Sequence, residues 1–269
     1  MKNLPFIFLL ILTVSCNQQK EKTAEDFLQS AQRLQQSGSF TDAKLQIDSI
    51  HILFPKDVQT RRMAQRLLLE IELVEFVQSL EFLQNEWAKN NAVVDSLSSR
   101  FVLQKDEKYQ TEGSFVHKSQ ASENTLMRTM LKAFVAENGQ ASFSCTVVGQ
   151  SPCAFDAVRI SAGDVFVETA PIAEDGAFNR TFNDGLHHWR TIMFRNENDA
   201  IALIAQNTDK NVKISALGRC RTSFDMPRAD RLAFKDAYFF SMALSEITRL
   251  KSEISKAERM VERLQERLR

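Results

Sequence analysis

Glycine and proline are scarce in this chain, which has 8 Gly and 5 Pro among its 269 residues. Both residue types concentrate in turns and irregular segments, so their scarcity disfavours a chain built mostly of short strands and turns. We therefore expect substantial helix. At this length the chain can form one large domain or two smaller ones, each with a hydrophobic core.

An excess of either charge is also missing, because 34 Lys and Arg side chains balance 34 Asp and Glu side chains. A protein that binds nucleic acid needs a basic excess or patch to replace the counterions along the phosphates. We therefore expect no nucleic acid partner.

The motifs that carry catalysis and cofactor binding are absent as well. No Ser lies in a Gly-x-Ser-x-Gly sequence, no glycine-rich phosphate loop is present, and no Cys pair has zinc-ligand spacing. His187 and His188 are neighbours on a predicted strand, where adjacent side chains point to opposite faces, and His51 and His117 stand alone. Turn chemistry, rather than calcium binding, accounts for four acidic residues in predicted turns: Asp164, Asp175, Asp184 and Asp199. We expect no catalytic residue, metal or cofactor, and hence a protein that is not an enzyme.

The apolar stretch at the N-terminus is too short to span a membrane. Leu4–Val14 has 11 residues, against the ~20 that a transmembrane helix needs. Lys2 and the amino group of Met1 place positive charge before it. This arrangement is typical of a secretory signal peptide, which we assign to residues 1–15.

The segment Leu12-Thr13-Val14-Ser15-Cys16 resembles the lipobox of bacterial lipoproteins, although Thr13 stands where that family usually has Leu. The resemblance implies that Cys16 is lipidated and becomes the first residue, and that residues 16–23 form a polar tether. It also implies export and a lipid anchor in the cell envelope, with the outer membrane favoured over the inner. Ordinary signal cleavage is the alternative, because Thr13 and Ser15 satisfy the small-residue rule.

Residues 24–57 show two short helical stripes separated by Ser37-Gly38-Ser39 and ended by Pro55, which predicts a helical hairpin. It resembles one tetratricopeptide repeat at six positions: Ala31, Gly38, Phe40, Ala43, Ile47 and Pro55. Ile50 departs from that family, which usually has a small residue there. No second copy follows at the family's period, so we expect a lone hairpin that packs on the next element; a generic helical hairpin has the same consequence.

The next segment, residues 58–104, carries apolar residues at alternating steps of four and three. This first seam consists of Leu69, Leu73, Phe76, Leu80, Leu83, Trp87, Asn90, Val94, Leu97 and Phe101. It predicts a long amphipathic helix in which Asn90 is the one polar member. Additional apolar residues in its N-terminal half predict burial there on more than one side, by the hairpin.

The C-terminal segment, residues 229–269, repeats the heptad pattern and predicts a coiled-coil helix. This second seam consists of Phe240, Ala243, Ile247, Leu250, Ile254, Ala257, Val261, Leu264 and Leu268. We expect the two seams to pair antiparallel, which would place Phe101 near Phe240 and Leu268 near Leu73. The alternative is a parallel homodimer through the C-terminal helix.

Between the long helices, residues 105–228 change to short strand-like segments, separated for the most part by turn signals. Seven segments fit this description: ASFSCTVVG, CAFDAVRIS, DVFVETA, AFNRTF, HHWRTIMFR, AIALIAQN and NVKISALG. They predict an antiparallel sandwich or barrel, preceded by a short helix over Asn124–Glu137. The fold class is therefore α+β.

Two cysteines in the β segment, Cys145 and Cys153, are equidistant from Gly149 on a predicted hairpin. This spacing, together with export, allows a disulfide between them and would leave Cys220 unpaired. The alternative is that both are small buried hydrophobic residues.

Two functions fit these features. The first is a scaffold or interaction lipoprotein of the envelope, in which a helical stalk presents the β domain to a protein partner. The second is a binding module for a glycan or another small ligand, with Trp189, Phe178 and Phe182 as the platform unless these rings belong to the core. The signal, the lone repeat and the stalk resemble the uncharacterised exported lipoproteins of Gram-negative bacteria, a resemblance that implies envelope location and no particular substrate.

Overall fold

The structure is a computed structural model of the chain, and it describes residues 22–105, 108, 111–121, 128–173 and 179–269. Over these residues the chain forms five α-helices and two antiparallel sheets, with six strands in one and four in the other. The α+β class predicted from the sequence is therefore confirmed. Cys16 and the leader before it lie outside the described residues.

The helices are α1 (Ala24–Gln36), α2 (Phe40–Leu53), α3 (Val58–Ser98), α4 (Asn198–Gln206) and α5 (Arg228–Leu268). The strands are β1 (Phe101–Gln104), β2 (Ser114–His117), β3 (Met130–Ala136), β4 (Ala141–Gly149), β5 (Phe155–Ala162), β6 (Val165–Glu168), β7 (Asn179–Asn183), β8 (His188–Arg195), β9 (Val212–Gly218) and β10 (Thr222–Asp225). A short 3₁₀ turn, Lys118–Gln120, follows β2.

The chain divides into two units, one containing the described residues up to Val77 together with Met260–Arg269, and the other containing Gln78–Arg259. In the first unit, α1 begins with a capping box in which Thr23 and Asp26 each satisfy the other's backbone N–H. The hairpin of α1 and α2 shares one hydrophobic cluster with the first part of α3, as the sequence pattern predicts. The fully buried members include Ala31, Ala43, Ile47, Ile50, Ala64 and Ile71. Alanines in this cluster let helix backbones approach closely, which is how so short a hairpin buries its apolar stripe.

The long helix ends earlier than its pattern predicts. It stops at Ser98, and Phe101, the last member of the first seam, belongs to strand β1 instead. The backbone N–H of Arg100 bonds to the Leu97 carbonyl, which closes the helix with a tight turn before the strand begins. The step of four residues from Leu97 places Phe101 on the same face as the rest of the seam. An aromatic residue is equally compatible with a strand, so the heptad pattern alone does not show where the helix ends.

The C-terminal helix α5 extends from Arg228 to Leu268, and every member of the second seam is buried or half-buried. The heptad pattern therefore identified its buried face correctly. The pairing of α3 with α5 along the two seams stays a prediction.

The six-stranded sheet has the strand order β1-β2-β3-β4-β8-β7, and the four-stranded sheet has the order β10-β9-β5-β6. Both sheets contribute to one hydrophobic cluster that also includes α4 and the first turns of α5. Helix α4 contacts β4 of the larger sheet and both β5 and β6 of the smaller one. Neither sheet closes on itself within the described residues, so the barrel alternative is wrong.

One predicted strand is a helix. The segment AIALIAQN lies in α4, where five of its residues are buried: Ala200, Ile201, Leu203, Ile204 and Ala205. A short apolar run has no period that separates a buried strand from a buried helix. In the folded chain this segment packs against both sheets as a helix.

One predicted helix is a strand. The described part of Asn124–Glu137 contains β3, which pairs antiparallel with β2 on one side and β4 on the other. From Leu131 onward its residues alternate between buried and half-buried, which is the period of two of a strand. The alternation is not visible in the sequence, because most residues of both faces are apolar. Residues 124–127 lie outside the described residues.

The predicted disulfide between Cys145 and Cys153 is wrong, because Cys153 bonds to Cys220. Strand β4 pairs with β3 and β8 rather than with β5, so Cys145 lies in the middle of the six-stranded sheet, fully buried and with a free thiol. Burial raises the pKa of this thiol. Cys153 precedes β5 and Cys220 follows β9, its partner strand, which sets their Cα atoms 5.2 Å apart.

Candidate functional site

The β7–β8 hairpin brings together two of the three aromatic residues predicted to form a ligand platform. Phe182 and Trp189 lie directly opposite each other on the two strands, with ring centroids 5.4 Å apart and planes tilted by 42°. The His187 ring lies 5.6 Å from that of Trp189. Phe178, the third predicted residue, lies outside the described residues.

The turn of this hairpin is built by short polar side chains. The carboxylate of Asp184 accepts hydrogen bonds from the backbone N–H groups of His187 at 2.6 Å and Leu186 at 2.8 Å. These bonds hold the pKa of Asp184 below its usual value. Gly185 supplies the left-handed conformation at φ +90°. Asp184 therefore works as a turn residue, and His187 belongs to the turn while His188 begins β8.

The hairpin forms one edge of the six-stranded sheet. β7 is the terminal strand, and within the described residues only β8 pairs with it. The side chain of Phe182 is 64% exposed, and Leu186 at the turn is exposed as well. The hairpin thus offers an open backbone edge and a large exposed apolar side chain on the same strand.

Trp189 adds a hydrogen-bond donor to this hairpin. Its indole N–H is buried, and it meets no acceptor among the described residues. Buried donors are normally satisfied, and an unsatisfied one costs about 1–3 kcal/mol. The hairpin surface can therefore stack on an apolar group and accept a further strand along its edge, while the unsatisfied donor lies beneath that surface.

Contacts on both faces of β8 hold this strand in place. The Arg190 Nε donates to the Phe155 carbonyl at 2.9 Å, and its guanidinium lies 5.8 Å from the Phe155 ring. The hydroxyls of Thr146 and Thr191 are 2.9 Å apart across the β4–β8 pair. These contacts tie β8 to both sheets, so the strand that carries Trp189 is held in place.

A second cluster, which sequence analysis missed, joins β2 to α5. His117 Nε2 lies 3.3 Å from Asp236 Oδ2, and Arg100 Nη1 donates to both oxygens of Asp236 at 2.9 Å. The Ser119 hydroxyl lies 2.8 Å from His117 Nδ1. Burial lowers the pKa of His117, and the nearby Asp236 carboxylate opposes this shift.

The cluster contains Ser, His and Asp, but its geometry is that of a cap. His117 is the N-cap of the 3₁₀ turn, where its Nδ1 also accepts the backbone N–H of Ser119 at 3.3 Å. Arg100 holds the Asp236 carboxylate from the other side. The nitrogen that would remove a proton from the serine is thus committed to the backbone, and the cluster fixes β2 against α5.

A third polar group is buried at the start of α5. Asp230 Oδ1 accepts from Gln120 Nε2 at 3.1 Å and from Arg128 Nη2 at 2.9 Å, while Gln120 Oε1 accepts the backbone N–H of Ala133. These contacts link α5 to β3 and to the 3₁₀ turn. Sequence reasoning had no signal for this group or for the His117 cluster, because the partners are more than a hundred residues apart.

Metal ligation finds no support in the described part of the chain, where no three His, Cys, Asp or Glu side chains cluster closely enough to hold an ion. Among the described helices, none combines the length and the hydropathy needed to cross a bilayer.

No protein-family model, no curated protein and no solved structure matches this chain. The candidate function therefore follows from the geometry of the chain itself.

Proposed function

We propose that this chain is an exported, lipid-anchored protein of the cell envelope that acts as a non-enzymatic scaffold and binds a protein partner through the β7–β8 hairpin. The observation that carries this proposal is the terminal strand β7, which is open along one edge and displays Phe182 beside Trp189. In the proposal α3 and α5 pair antiparallel along their seams and form a stalk for the sheets.

The disulfide supports the exported location. Disulfides persist in oxidising compartments and are rare in a reducing cytosol. The bond between Cys153 and Cys220 therefore fits the apolar leader and the lipobox-like segment that ends at Cys16. Lipidation of Cys16 then provides the membrane anchor, since several acyl chains together hold far better than one.

Labelling with radioactive palmitate tests the anchor. The full-length chain, expressed in a Gram-negative host, should incorporate label and fractionate with membranes, whereas Cys16→Ala should do neither. An unlabelled product that retains its leader in the cytosol would contradict the proposal.

The hairpin suits a protein partner for two physical reasons. An open strand edge presents unpaired N–H and C=O groups, to which an extended segment of another protein can add as a further strand. Aromatic side chains are also enriched at protein interfaces, and Trp is among the residues that most often dominate their binding energy. β7 offers the edge, and Phe182 with Trp189 offers the anchors.

Photocrosslinking in intact cells tests this surface. A photoreactive phenylalanine analogue at Phe182 should yield one discrete crosslinked product, and the same analogue at Phe166, which is also exposed but lies on β6, should not. Arg180→Pro, which disturbs the strand, should abolish the product. Crosslinking of equal yield at both positions would show that the hairpin is not a specific interface.

A second candidate function is the binding of a glycan or another small ligand on the same hairpin. The observation that favours it is the indole N–H of Trp189, which has no acceptor in the described structure. Trp189→Phe keeps an aromatic ring but removes the donor, and it should weaken capture on a glycan array. Trp87→Phe is the matched control, and an array without any bound glycan would count against this function.

A further inference from the structure

A groove of about 1080 Å³ lies in the unit formed by Gln78–Arg259. Its walls are α5, the C-terminal part of α3, the β3–β4 turn and the connection from β8 to α4. The volume is slightly above the usual range for ligand pockets, about 300–1,000 Å³. The hairpin surface described above contributes no residue to it.

Several carboxamide side chains line the rim of this groove. Five residues of this kind line it: Asn90, Asn138, Gln140, Asn196 and Asn198. Each amide offers two donors and a carbonyl acceptor, so the rim presents both kinds of hydrogen-bonding group side by side. The amide of Asn198 and the hydroxyl of Tyr238 make no hydrogen bond to any described residue.

Three of these amides are held in fixed orientation. Gln140 Nε2 donates to Asn196 Oδ1 at 2.6 Å, and the Gln140 backbone N–H donates to Asn138 Oδ1 at 2.9 Å. Asn196 adopts φ +62°, and no other described residue except glycine has a positive φ. Backbone strain of this kind concentrates at functional sites, where it pre-organises a side chain.

The β3–β4 turn cannot move away from the helix that faces it. The Ser241 hydroxyl donates to the Gly139 carbonyl at 2.6 Å. Gly139 has φ +91°, and a Cβ at this position would overlap the backbone of Ser245. The β3–β4 turn is therefore held against the helical wall, which reduces the entropic cost of binding on this side of the groove.

The two charged residues in the groove neutralise each other. Arg249 donates to both oxygens of Glu246, at 2.9 Å from Nε and at 2.6 Å from Nη2. The ion pair lowers the pKa of Glu246 and raises that of Arg249, so both stay charged over the physiological range. A groove with this pairing does not select an anion or a cation.

Exposed apolar groups complete the groove. Phe239 is 47% exposed and Met242 is 54% exposed, three residues apart on one face of α5. An aromatic ring next to amides suits a ligand with apolar faces and hydroxyl edges.

We infer that this groove binds a neutral oligosaccharide. Sugar hydroxyls donate and accept hydrogen bonds, as the carboxamides do, and the apolar face of a pyranose ring can stack on Phe239. Among the described residues that line the groove, an anionic ligand finds no unpaired cation. A peptide is disfavoured because β3 and β4, the strands beside the groove, are paired on both sides and offer no edge. The inference rests neither on export nor on a protein partner.

Calorimetric titration of the chain without its leader tests the inference. The probes are maltotetraose, cellotetraose and tetra-N-acetylchitotetraose, with tetragalacturonate as the charged comparison. At least one neutral tetrasaccharide should bind. Asn196→Gly, which tolerates the backbone conformation and removes the amide, and Phe239→Ala should each weaken binding by about tenfold or more.

Phe166→Ala on β6, which is exposed and belongs neither to the groove nor to the hairpin, is the control and should leave the affinity unchanged; circular dichroism confirms that all variants fold. The inference is overturned if no neutral probe binds at millimolar concentration, if tetragalacturonate binds as tightly, or if Asn196→Gly and Phe239→Ala bind like the parent chain. Weakening by Phe182→Ala alone would assign the ligand to the hairpin, which overturns this inference and supports the second candidate function.

Discussion

Phe101 and Phe240 stack face to face, with ring centroids 4.6 Å apart and ring planes 11° from parallel. Phe101 ends the first apolar seam and Phe240 begins the second, and the sequence predicts that these two residues meet. They do so although Phe101 belongs to a strand rather than to the helix. The stack joins the start of the six-stranded sheet to α5.

Removal of one ring of this stack should destabilise the protein strongly. Phe240 is fully buried and also contacts Phe115 edge to face at 5.2 Å. We expect Phe240→Ala to lower the free energy of unfolding by about 3–5 kcal/mol, because it removes buried area and leaves a cavity. Phe239→Ala, at the exposed neighbouring position, should change it by less than about 0.5 kcal/mol. Urea denaturation measures both, and equal effects would contradict the assigned face of α5.

Asp230 should contribute to stability through its buried hydrogen bonds. Asp230→Ala leaves Gln120 and Arg128 without this acceptor and should cost about 1–3 kcal/mol. Asp42→Ala is the matched control, since Asp42 also occupies the first turn of a helix but is exposed. The control should lose at most the helix-dipole contribution of about 0.3–1 kcal/mol. Thermal unfolding of the two variants would refute the assignment if their losses were the same.

His117 should make stability depend on pH. Burial lowers its folded pKa below the ordinary value of 6.5. Between the folded pKa and 6.5 the unfolded chain binds more protons than the folded one, so stability falls as pH falls through this window and levels off below it. His117→Asn keeps an N-cap acceptor but does not titrate, and it should flatten this part of the profile. Denaturation midpoints between pH 7.5 and about 5 provide the comparison, and an unchanged slope in the variant would be the contrary result.

The assigned disulfide predicts a specific pattern of thiol reactivity. In denatured, unreduced protein, alkylation should modify Cys145 and spare Cys153 and Cys220. Cys220→Ser should cost about 2–4 kcal/mol, because the bond closes a loop with a sequence separation of 67. Cys145→Ser should leave the bond intact, which peptide mapping detects. A mapped bond that includes Cys145 would refute the assignment.

Truncation separates the two arrangements proposed for the C-terminal helix. Residues 256–269 include Leu264, which is buried. If α5 pairs with α3 in the same chain, their removal should destabilise a protein that is monomeric before and after. If α5 forms a parallel homodimer, the truncated chain should become a stable monomer. Light scattering combined with urea denaturation distinguishes the two results.

Local patterns allowed part of this fold to be predicted from the sequence. The heptad of α5 identified its buried face, and two apolar stripes separated by Ser37-Gly38-Ser39 and ended by Pro55 placed the hairpin of α1 and α2. These signals lie within a few residues of the structure they specify, because helix periodicity and capping are local effects. The pairing of Phe182 with Trp189 was accessible in part for the same reason, since their strands form one hairpin.

Other features required contacts that no local pattern encodes. α4 and β3 carry similar apolar runs, and only their neighbours in the folded chain decide that one is a helix and the other a strand. The walls of the groove likewise come from separate parts of the chain, so no single segment of the sequence predicts it.

By itself, then, the sequence determined the class of the fold and the buried face of its C-terminal helix, while export from the lipobox-like start stays a prediction. The tertiary structure alone decided which cysteine bonds to Cys153, which residues surround His117 and Asp230, and where the amides converge. The physical reason is that periodicity and turn chemistry act over a few residues, whereas strand order and side-chain pairing depend on which distant segments the core brings together.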